Sequence, residues 1–460
     1  MLYKSTRGAE EKVSFQKILF SGLAADGGLY IPECLPTLAP EHISEFVEMK
    51  YEGIAFSILK PFVGDFFSDE ELHLMIAQAY SEFTEKEKCK LVNLSENHKV
   101  LDLFHGPTFA FKDFAMQMIA QMFHQALKRI RKSITIIVAT SGDTGAAAVH
   151  AFRNLEFVNL YVLFPKDRIS EIQRRQMTTE RASNISVVSV NGNFDDCQSI
   201  VKSIFNDTDF SKRISLTGVN SINWARIISQ VVYYFFAASR LPSNATLDFC
   251  VPTGNFGNIY AGYIAKKLGA NIDKLIIATN QNDILHRTLS WGQYSKGKVF
   301  KTFSPSMDIQ VSSNFERMLH DLYSGEANTV NKKMQSLQLT GSYRIEDDIL
   351  TRFKKDFSSG SVVEEDTLAE IRKVFIDSGI IICPHTAVGT KVSRKFLDKG
   401  KIIISLATAH PAKFGDVVGK AIETDLMLPK SLKELYFKEE KVVEAPNDVN
   451  YLKDLIRRDQ

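Results

Sequence analysis

Two hydrophobic patterns alternate along most of this chain. Short uninterrupted runs of β-branched and other apolar residues, such as ITIIVAT (134–140), are followed by stretches in which apolar positions recur every three or four residues. Uninterrupted runs are typical of parallel strands covered on both faces, and the longer pattern is typical of helices. The alternation therefore predicts an α/β fold with open, mainly parallel sheets.

The same patterns predict the individual elements. Strands are predicted at 134–140, 159–165, 185–190, 247–254, 275–280, 380–384 and 401–408. Helices are predicted at 112–132, 145–152, 169–182, 195–205, 224–240, 259–269, 367–379 and 386–396. The helix at 224–240 is apolar nearly all round, which predicts that it is buried. Residues 290–365 are less regular and indicate an insertion that carries loops.

A change of pattern near residue 99 divides the chain into three parts. Residues 1–98 are predicted to form an N-terminal α/β domain that docks on the rest, with a short strand at 29–31 and helices near 41–60 and 69–83. Residues 99–430 are the predicted catalytic core, in which about 99–215 includes a smaller subdomain and the remainder is a larger one. The charged residues 431–460 are predicted to be peripheral.

Composition and charge exclude several functional classes. The 460 residues are 44% hydrophobic and 24% charged with a net charge of +2, so the basic excess typical of nucleic-acid binding is absent. The five cysteines are scattered without CxxC or a histidine cluster, which argues against disulfides and against a metal site. The sequence has no signal-peptide pattern and no apolar run of about 18 residues. We therefore expect a cytoplasmic protein that binds small molecules, with the choice between monomer and homodimer open.

The segment HGPTFAFKDFAMQMIA (105–120) places Lys112 at the start of a predicted helix, with Thr108 as a candidate N-cap. The helix dipole and partial burial among phenylalanines both favour an uncharged amine. An uncharged lysine amine attacks carbonyl groups, as in a Schiff base with pyridoxal phosphate. The alternative is a lysine that only reaches out from a buried helix.

Three loops follow predicted strands, at the edge of a parallel sheet where ligands bind. PTGNFGN (252–258) can converge backbone N–H groups on a phosphate, or it is simply a tight turn. SGDTG (141–145) opens a helix and can hold an anion such as a carboxylate, although a helix cap explains it almost as well. ATAHP (407–411) places a hydroxyl and His410 at a strand end, where a structural histidine is the alternative reading.

Taken in chain order, these segments resemble the threonine synthase family in its long form, within the fold type II pyridoxal-phosphate enzymes. The resemblance runs from Tyr3 to about residue 425 and rests on eight segments. They are YKSTRG (3–8), SGLAADGGLYIPE (21–33), HGPTFAFKDFAMQ (105–117), SGDTG (141–145), NSINWARI (220–227), PTGNFGN (252–258), SSNFER (312–317) and TAHPAKF (408–414). It implies a fold like that of tryptophan synthase β, with an additional N-terminal domain.

The resemblance also implies an activity and a cofactor. The implied reaction converts O-phosphohomoserine and water to threonine and phosphate with pyridoxal 5′-phosphate, as the last step of threonine biosynthesis. Lys112 resembles the Schiff-base lysine, and Thr408 resembles the hydroxyl residue that faces the pyridine nitrogen. Asp143 stands where shorter members have Asn beside the phenolic oxygen, so it is either protonated or directed at another group. The implied cofactor-phosphate residues are Gly254, Asn255, Phe256, Gly257 and Asn258.

The substrate has two anionic ends, and different residues are candidates for each. Ser141, Thr144 and the SGDTG backbone are candidates for the carboxylate. Charge and motif membership nominate a second set for the phosphate. That set is Asn223, Arg226, Asn314, Arg317 and Lys413.

Other functions remain open at this stage. A phospholyase or a serine/threonine dehydratase would use the same cofactor and release a 2-oxo acid and ammonia. A protein that binds pyridoxal phosphate without catalysis is a further alternative. A nucleotide-binding enzyme is disfavoured, because PTGNFGN matches neither GxxxxGK[ST] nor GxGxxG.

Overall fold

The computed structural model of the chain describes residues 1–9, 11–398 and 400–459. The strands are β1 (Leu2–Ser5), β2 (Val13–Ser14), β3 (Tyr30–Pro32), β4 (Lys90–Asn93), β5 (His98–Asp102), β6 (Ile134–Ala139), β7 (Val158–Pro165), β8 (Ile185–Val190), β9 (Leu216–Thr217), β10 (Thr246–Pro252), β11 (Leu275–Thr279), β12 (Gln293–Ser295), β13 (Ser342–Arg344), β14 (Phe357–Ser361), β15 (Lys401–Ala407) and β16 (Val443–Ala445).

The α-helices surround these strands, and short 3₁₀ turns occur at Gly64–Phe66, Pro305–Met307, Pro411–Phe414 and Leu435–Phe437. The helices are α1 (Phe15–Phe20), α2 (Pro40–Glu45), α3 (Tyr51–Val63), α4 (Asp69–Ala79), α5 (Lys112–Ile130), α6 (Asp143–Phe152), α7 (Glu171–Thr178), α8 (Phe194–Asn206), α9 (Thr208–Arg213), α10 (Trp224–Ser239), α11 (Gly257–Lys267), α12 (Ile284–Trp291), α13 (Phe315–Leu322), α14 (Ala327–Thr340), α15 (Asp347–Asp356), α16 (Glu364–Ser378), α17 (Pro384–Ser393), α18 (Gly415–Ile422), α19 (Lys430–Glu434) and α20 (Val449–Arg458).

Two mainly parallel sheets form the centre of the molecule. The smaller sheet has the order β16-β8-β7-β6-β9, and every pairing in it is parallel. The larger sheet has the order β14-β11-β10-β15-β5-β4, in which β4 pairs antiparallel with β5 and the other pairings are parallel. The predicted α/β class with open, mainly parallel sheets is confirmed.

The N-terminal residues form a small antiparallel sheet with the order β2-β1-β3, beside helices α1 to α4. Helix α10 packs against α3 of this region and against α5 and α11. Its side chains are buried from Trp224 to Ala237, as its apolar surface predicts. This helix therefore joins the N-terminal region and the sheets through one hydrophobic core.

The predicted strand at 380–384 is wrong. Residues between α16 and α17 have no regular structure, and Ile382 and Cys383 instead pack in an apolar cluster with residues of those two helices. One edge strand of the larger sheet is β14, which lies inside the stretch predicted to be an insertion with loops. A short apolar run is buried equally well in either arrangement, so its pattern cannot identify it as a strand.

The C-terminal segment contributes to the fold. Strand β16 extends the smaller sheet beside β8, and α20 buries Leu452 and Ile456 in the cluster below that sheet. The division of the chain at residues 98 and 430 stays a prediction. The first of these positions coincides with the first residue of β5.

Candidate active site

Lys112 is the first residue of α5, and backbone pairing brings it close to Thr408. Phe111 N donates to Thr408 O over 2.9 Å, and Ala110 and Ala409 form an isolated antiparallel bridge. The segment before α5 is thereby held along the segment that follows β15. Two residues from opposite ends of the core sequence, Lys112 and Thr408, are brought to the same place by these contacts.

Thr108 does not cap helix α5, contrary to the prediction. The N-cap position is occupied by Phe111, which makes no side-chain capping hydrogen bond. Thr108 instead donates to the buried carboxyl of Asp113, from N to Oδ2 over 2.8 Å and from Oγ1 to Oδ1 over 2.7 Å. Burial raises the pKa of Asp113, and these two hydrogen bonds oppose the rise. They close the turn that precedes Lys112.

A buried group of charges surrounds the amine of Lys112. Lys112 Nζ lies 3.4 Å from Asp143 Oδ2, and Lys413 Nζ lies 2.7 Å from Asp143 Oδ1. Burial lowers the pKa of Lys112, the carboxylate of Asp143 opposes this, and the positive charges of Lys413 and Arg226 lower it further. The net direction favours an uncharged amine, as the sequence predicts.

Asp143 is ionised and directed towards Lys413. Burial by itself would raise the pKa of this carboxyl, but the ammonium group of Lys413, together with Lys112 when its amine is protonated, outweighs burial and holds the pKa well below its ordinary range. Gln173 Nε2 also donates to Asp143 Oδ1 over 2.8 Å. Of the two explanations for an aspartate here, the structure supports the one in which it pairs with another group.

The start of helix α11 fits a phosphate group. Phe256 takes the N-cap position with φ of 62° and provides no side-chain cap, and Gly257 and Asn258 are buried. Helices α4, α7 and α8, by contrast, begin with reciprocal side-chain caps. A buried helix N-terminus without a side-chain acceptor is a ready site for an anion.

Asn258 adds a side-chain donor at the same place. Its Oδ1 accepts hydrogen bonds from Tyr233 OH over 2.6 Å and from Tyr234 OH over 2.9 Å, which fixes the orientation of the amide. Its Nδ2 is buried and has no hydrogen-bond partner among the described residues. A buried donor of this kind needs an acceptor, and a phosphate oxygen would supply it.

The loop before α11 is held from outside by residues of the SSNFER segment. Ser312 Oγ donates to Gly254 O over 2.7 Å, and Asn314 Nδ2 donates to Asn255 O over 3.0 Å. A Cβ on Gly254 would lie 2.8 Å from the backbone oxygen of Ser306, so only glycine fits there without a backbone shift. The loop is therefore braced in one conformation.

Ser141 and Thr144 flank the start of helix α6, where the sequence predicts a carboxylate site. The N-cap position is Gly142, which offers no side-chain cap, and both hydroxyl residues are partly accessible. The backbone N–H groups of Gly142 and Gly145 donate to Thr140 Oγ1 over 3.0 and 2.9 Å. The turn is thus closed internally while its two hydroxyls remain at the surface of the site.

The five residues nominated for the substrate phosphate differ in how their polar atoms are used. Asn223 caps α10 through Ala225 N and donates to Leu19 O, and Asn314 holds the loop before α11. Lys413 is fully buried and bound to Asp143 and to Thr108 O. These contacts favour structural or positioning roles, and the predicted phosphate contacts of these residues stay predictions.

The two nominated arginines show the contrast most clearly. Arg317 donates from Nε and Nη2 to Tyr30 O over 3.0 and 2.9 Å, from Nη2 to Ile222 O over 2.6 Å and from Nη1 to Asn314. Arg226 donates from Nη1 to Val219 O over 2.9 Å, and its buried Nε has no partner among the described residues. Arg226 therefore retains a donor for a ligand.

Sequence reasoning missed His385 and the two glutamines of α7. His385 Nε2 accepts from Ser306 N over 3.3 Å, and the buried Nδ1 has no partner in the part of the chain that the structure describes. Burial lowers the pKa of His385 to about 4, so the ring is neutral. Gln173 reaches Asp143, and Gln176 Nε2 donates to Thr108 O over 3.0 Å. The spacing of the two glutamines on one helix face was the available signal.

Comparison with known proteins agrees with this geometry. The chain matches three families, described as "Threonine synthase N terminus" over residues 2–80, "Pyridoxal-phosphate dependent enzyme" over 89–335 and "Threonine synthase, C-terminal" over 386–456. A threonine synthase of Pseudomonas aeruginosa is 42% identical over 452 residues, which covers 98% of this chain and 96% of the relative. The chain belongs to the threonine synthase family.

Solved structures of this family are equally similar. A pyridoxal-phosphate-bound threonine synthase from Brucella melitensis has a TM-score of 0.97 and 44% identity, covering 100% of this chain and 99% of the other. A threonine synthase from yeast has a TM-score of 0.94 and 38% identity, with coverage of 100% and 98%. The fold is that of a type II pyridoxal-phosphate enzyme, and the cofactor is pyridoxal 5′-phosphate.

In this family member, the N-terminal region braces the site through the SSNFER segment. Thr6 Oγ1 donates to Glu316 Oε1 over 2.6 Å, and Arg7 forms two hydrogen bonds with the same carboxylate over 2.9 and 2.8 Å. The adjacent Arg317 holds the carbonyl of Tyr30 in β3.

Within the described ranges, no helix is both long and apolar enough to cross a membrane.

Proposed function

We propose that this chain converts O-phospho-L-homoserine and water to L-threonine and phosphate. The observation that carries the proposal is a largely buried lysine amine whose pKa is lowered by burial and by two further cations, together with two helix N-termini that lack side-chain caps. An amine of this kind can bond the cofactor, and two uncapped helix starts provide places for anions. Membership of the threonine synthase family supports this reaction over others of the same cofactor class.

Gly254 to Asn258 would hold the cofactor phosphate, with the N–H groups at the start of α11 and Asn258 Nδ2 as donors. The Thr408 hydroxyl would face the pyridine nitrogen, and Lys112 would hold the cofactor covalently. When bound, pyridoxal phosphate draws electrons away from the carbons of the attached amino acid. A hydroxyl cannot keep the pyridine nitrogen protonated as a carboxylate does, which leaves more of the proton management to Lys112.

Lys112 has the properties needed to move protons at substrate Cα and Cβ. The pKa of its amine is lowered because burial outweighs the nearby carboxylate, and the positive charges of Lys413 and Arg226 lower it further. A base with a lowered pKa can accept a proton and return it without a large free-energy change in either direction. We assign both proton transfers to this side chain.

Separate groups would bind the two anionic ends of the substrate. Ser141, Thr144 and the start of α6 would receive the carboxylate. Arg226 is the strongest candidate for the phosphate, because its Nε is buried without a partner among the described residues. Asn223, Asn314, Arg317 and Lys413 would act mainly by holding these elements in place.

The test is a product balance with the purified protein loaded with pyridoxal phosphate. O-phosphohomoserine is added, and threonine, phosphate and 2-oxobutyrate are measured together. Equal amounts of threonine and phosphate support the proposal, whereas phosphate matched by 2-oxobutyrate would make the protein a phospholyase. Lys112→Ala should abolish turnover and the visible absorbance of the bound cofactor. Lys128→Ala, at an exposed position of the same helix, should change neither.

A further inference from the structure

The buried lysine Lys413 has no role in the reaction steps proposed above. It nevertheless makes the shortest contact among the buried charged groups around Lys112. Its side chain is fully buried, and its Nζ donates to Thr108 O over 2.8 Å and lies 2.7 Å from Asp143 Oδ1. Thr108 precedes α5 and Asp143 begins α6. One ammonium group therefore ties together the two segments that carry Lys112 and its carboxylate neighbour.

The two lysines compete for one carboxylate, and Lys413 has the better geometry. Its distance to Asp143 is 2.7 Å, against 3.4 Å for Lys112. Since Coulomb attraction varies inversely with distance, the attraction of the carboxylate to Lys413 is about a quarter stronger, before the better hydrogen bond is added. Gln173 also donates to the same Oδ1, which keeps the carboxylate turned towards Lys413.

We propose that Lys413 is a positioning residue that takes up the charge of Asp143 and so leaves the amine of Lys112 uncharged and available. Without Lys413, Lys112 would be the one lysine paired with Asp143 among the described residues, and a buried carboxylate that close would stabilise the charged form of Lys112. The inference deepens the function proposed above, because it rests on Lys112 as the amine that bonds the cofactor.

The other charged groups near Lys112 come from separate elements and do not replace Lys413. Arg226 of α10 adds a positive charge, and its Nη1 is bound to a backbone carbonyl. His385 of α17 is neutral at pH 7, since burial lowers its pKa to about 4. Burial has the largest effect on the pKa of Lys112, and Asp143 is the carboxylate that opposes it.

Competitive labelling measures the pKa of the Lys112 amine directly. The full chain without cofactor is treated with a trace of acetic anhydride at pH values from 6 to 11, and acetylation of each lysine is quantified by mass spectrometry. The midpoint of the Lys112 curve is the pKa of its amine, and exposed Lys128 in the same sample is the internal reference. Lys413→Met should raise the Lys112 midpoint by about one unit or more, which is a roughly tenfold loss of uncharged amine at any pH well below both midpoints.

Two further variants separate charge from packing. Asp143→Asn combined with Lys413→Met removes both charges and should return the Lys112 midpoint close to the wild-type value. Lys413→Arg keeps the positive charge and should also stay close to it. Lys453→Met is the matched control, because its 2.6 Å pair with Asp207 joins α20 to the start of α9. This control should leave the Lys112 midpoint unchanged.

An unchanged Lys112 midpoint in Lys413→Met would overturn the inference. A raised midpoint that the double variant does not reverse would also overturn it, since charge would not be the cause. The labelling uses neither cofactor nor substrate. A wrong proposal for the overall reaction would therefore appear in the product balance and not in the labelling curves.

Discussion

Replacing Gly142 by alanine tests how the turn before α6 positions Asp143. Gly142 has φ of 133°, a conformation that residues with a Cβ rarely adopt. An added Cβ would lie 2.5 Å from Oε1 and 2.7 Å from Nε2 of Gln173, the side chain that donates to Asp143. The substitution therefore combines backbone strain with displacement of a side chain that holds the charge group.

The expected magnitude follows from those two effects. Backbone strain in such a region costs about 1–3 kcal/mol, and forcing an atom into a packed site costs about 1–3 kcal/mol more. We expect Gly142→Ala to lower the free energy of unfolding by about 2–6 kcal/mol, a large part of the about 5–15 kcal/mol typical of folded proteins. Affinity for pyridoxal phosphate should fall as well, because Gln173 can no longer hold Asp143.

Two other glycines serve as controls in urea unfolding. Gly379 has φ of 71° with no atom within 4 Å of an added Cβ, so Gly379→Ala isolates backbone strain and should cost about 1–2 kcal/mol. Gly415 has φ of −52° and equal space, so Gly415→Ala should be neutral or slightly stabilising. If Gly142→Ala were no less stable than Gly379→Ala and bound the cofactor normally, the reasoning about Gln173 would be refuted.

Three further predictions concern other parts of the molecule. Asn258→Ala should weaken binding of pyridoxal phosphate about 10- to 100-fold in a fluorescence titration, because a donor to a charged group is lost. Arg317→Met should lower the free energy of unfolding by about 3 kcal/mol or more, since buried carbonyls lose their donor, whereas Arg226→Met should mainly raise KM for O-phosphohomoserine. Stability should also fall between pH 6.5 and 4, because two buried histidines and one partly buried histidine have pKa values lowered from 6.5 to about 4. Each of these histidines is neutral in the folded protein, so its contribution to the free energy of unfolding is fully present above pH 6.5. About 2 kcal/mol of that free energy is lost per histidine by pH 5, because the unfolded chain binds the proton more readily. The histidines are His98, His385 and His410.

Each of these predictions has an outcome that contradicts it. Asn258→Asp keeps the acceptor for both tyrosines but places a negative charge at the proposed phosphate site, so normal cofactor affinity in that variant would refute the assignment. Equal losses of stability in the two arginine variants would refute the division of their roles. His98→Gln should flatten the dependence of unfolding free energy on pH, and an unchanged slope would show that another group causes it.

Local pattern was sufficient for the features that depend on one segment alone. The α/β class, the burial of α10 and the position of Lys112 at the start of α5 all follow from the spacing of apolar residues. These features are local because one face or one end of a helix is defined by residues that are neighbours in sequence. The strand prediction at 380–384 was wrong because a short apolar run is compatible both with a strand and with a cluster between helices.

Family resemblance additionally predicted the identity of the cofactor and the order of the site segments. It did not predict the hydrogen-bond partners of each side chain. The sequence alone nominated Arg226 and Arg317 together, since both are basic residues within motifs. In the folded chain, the guanidinium group of Arg317 donates hydrogen bonds to the carbonyls of Tyr30 and Ile222. Arg226 instead has a buried Nε without a partner among the described residues.

The sequence by itself determined that this is an α/β enzyme of the pyridoxal-phosphate class, and it predicts Lys112 as the residue that bonds the cofactor. The tertiary structure alone decided the charge state around that lysine. The ionisation of buried Asp143 depends on Lys413, which reaches it from the loop after β15, and on Gln173 of α7. A buried charge is governed by the few groups within several ångströms of it, and those groups come from segments that only folding brings together.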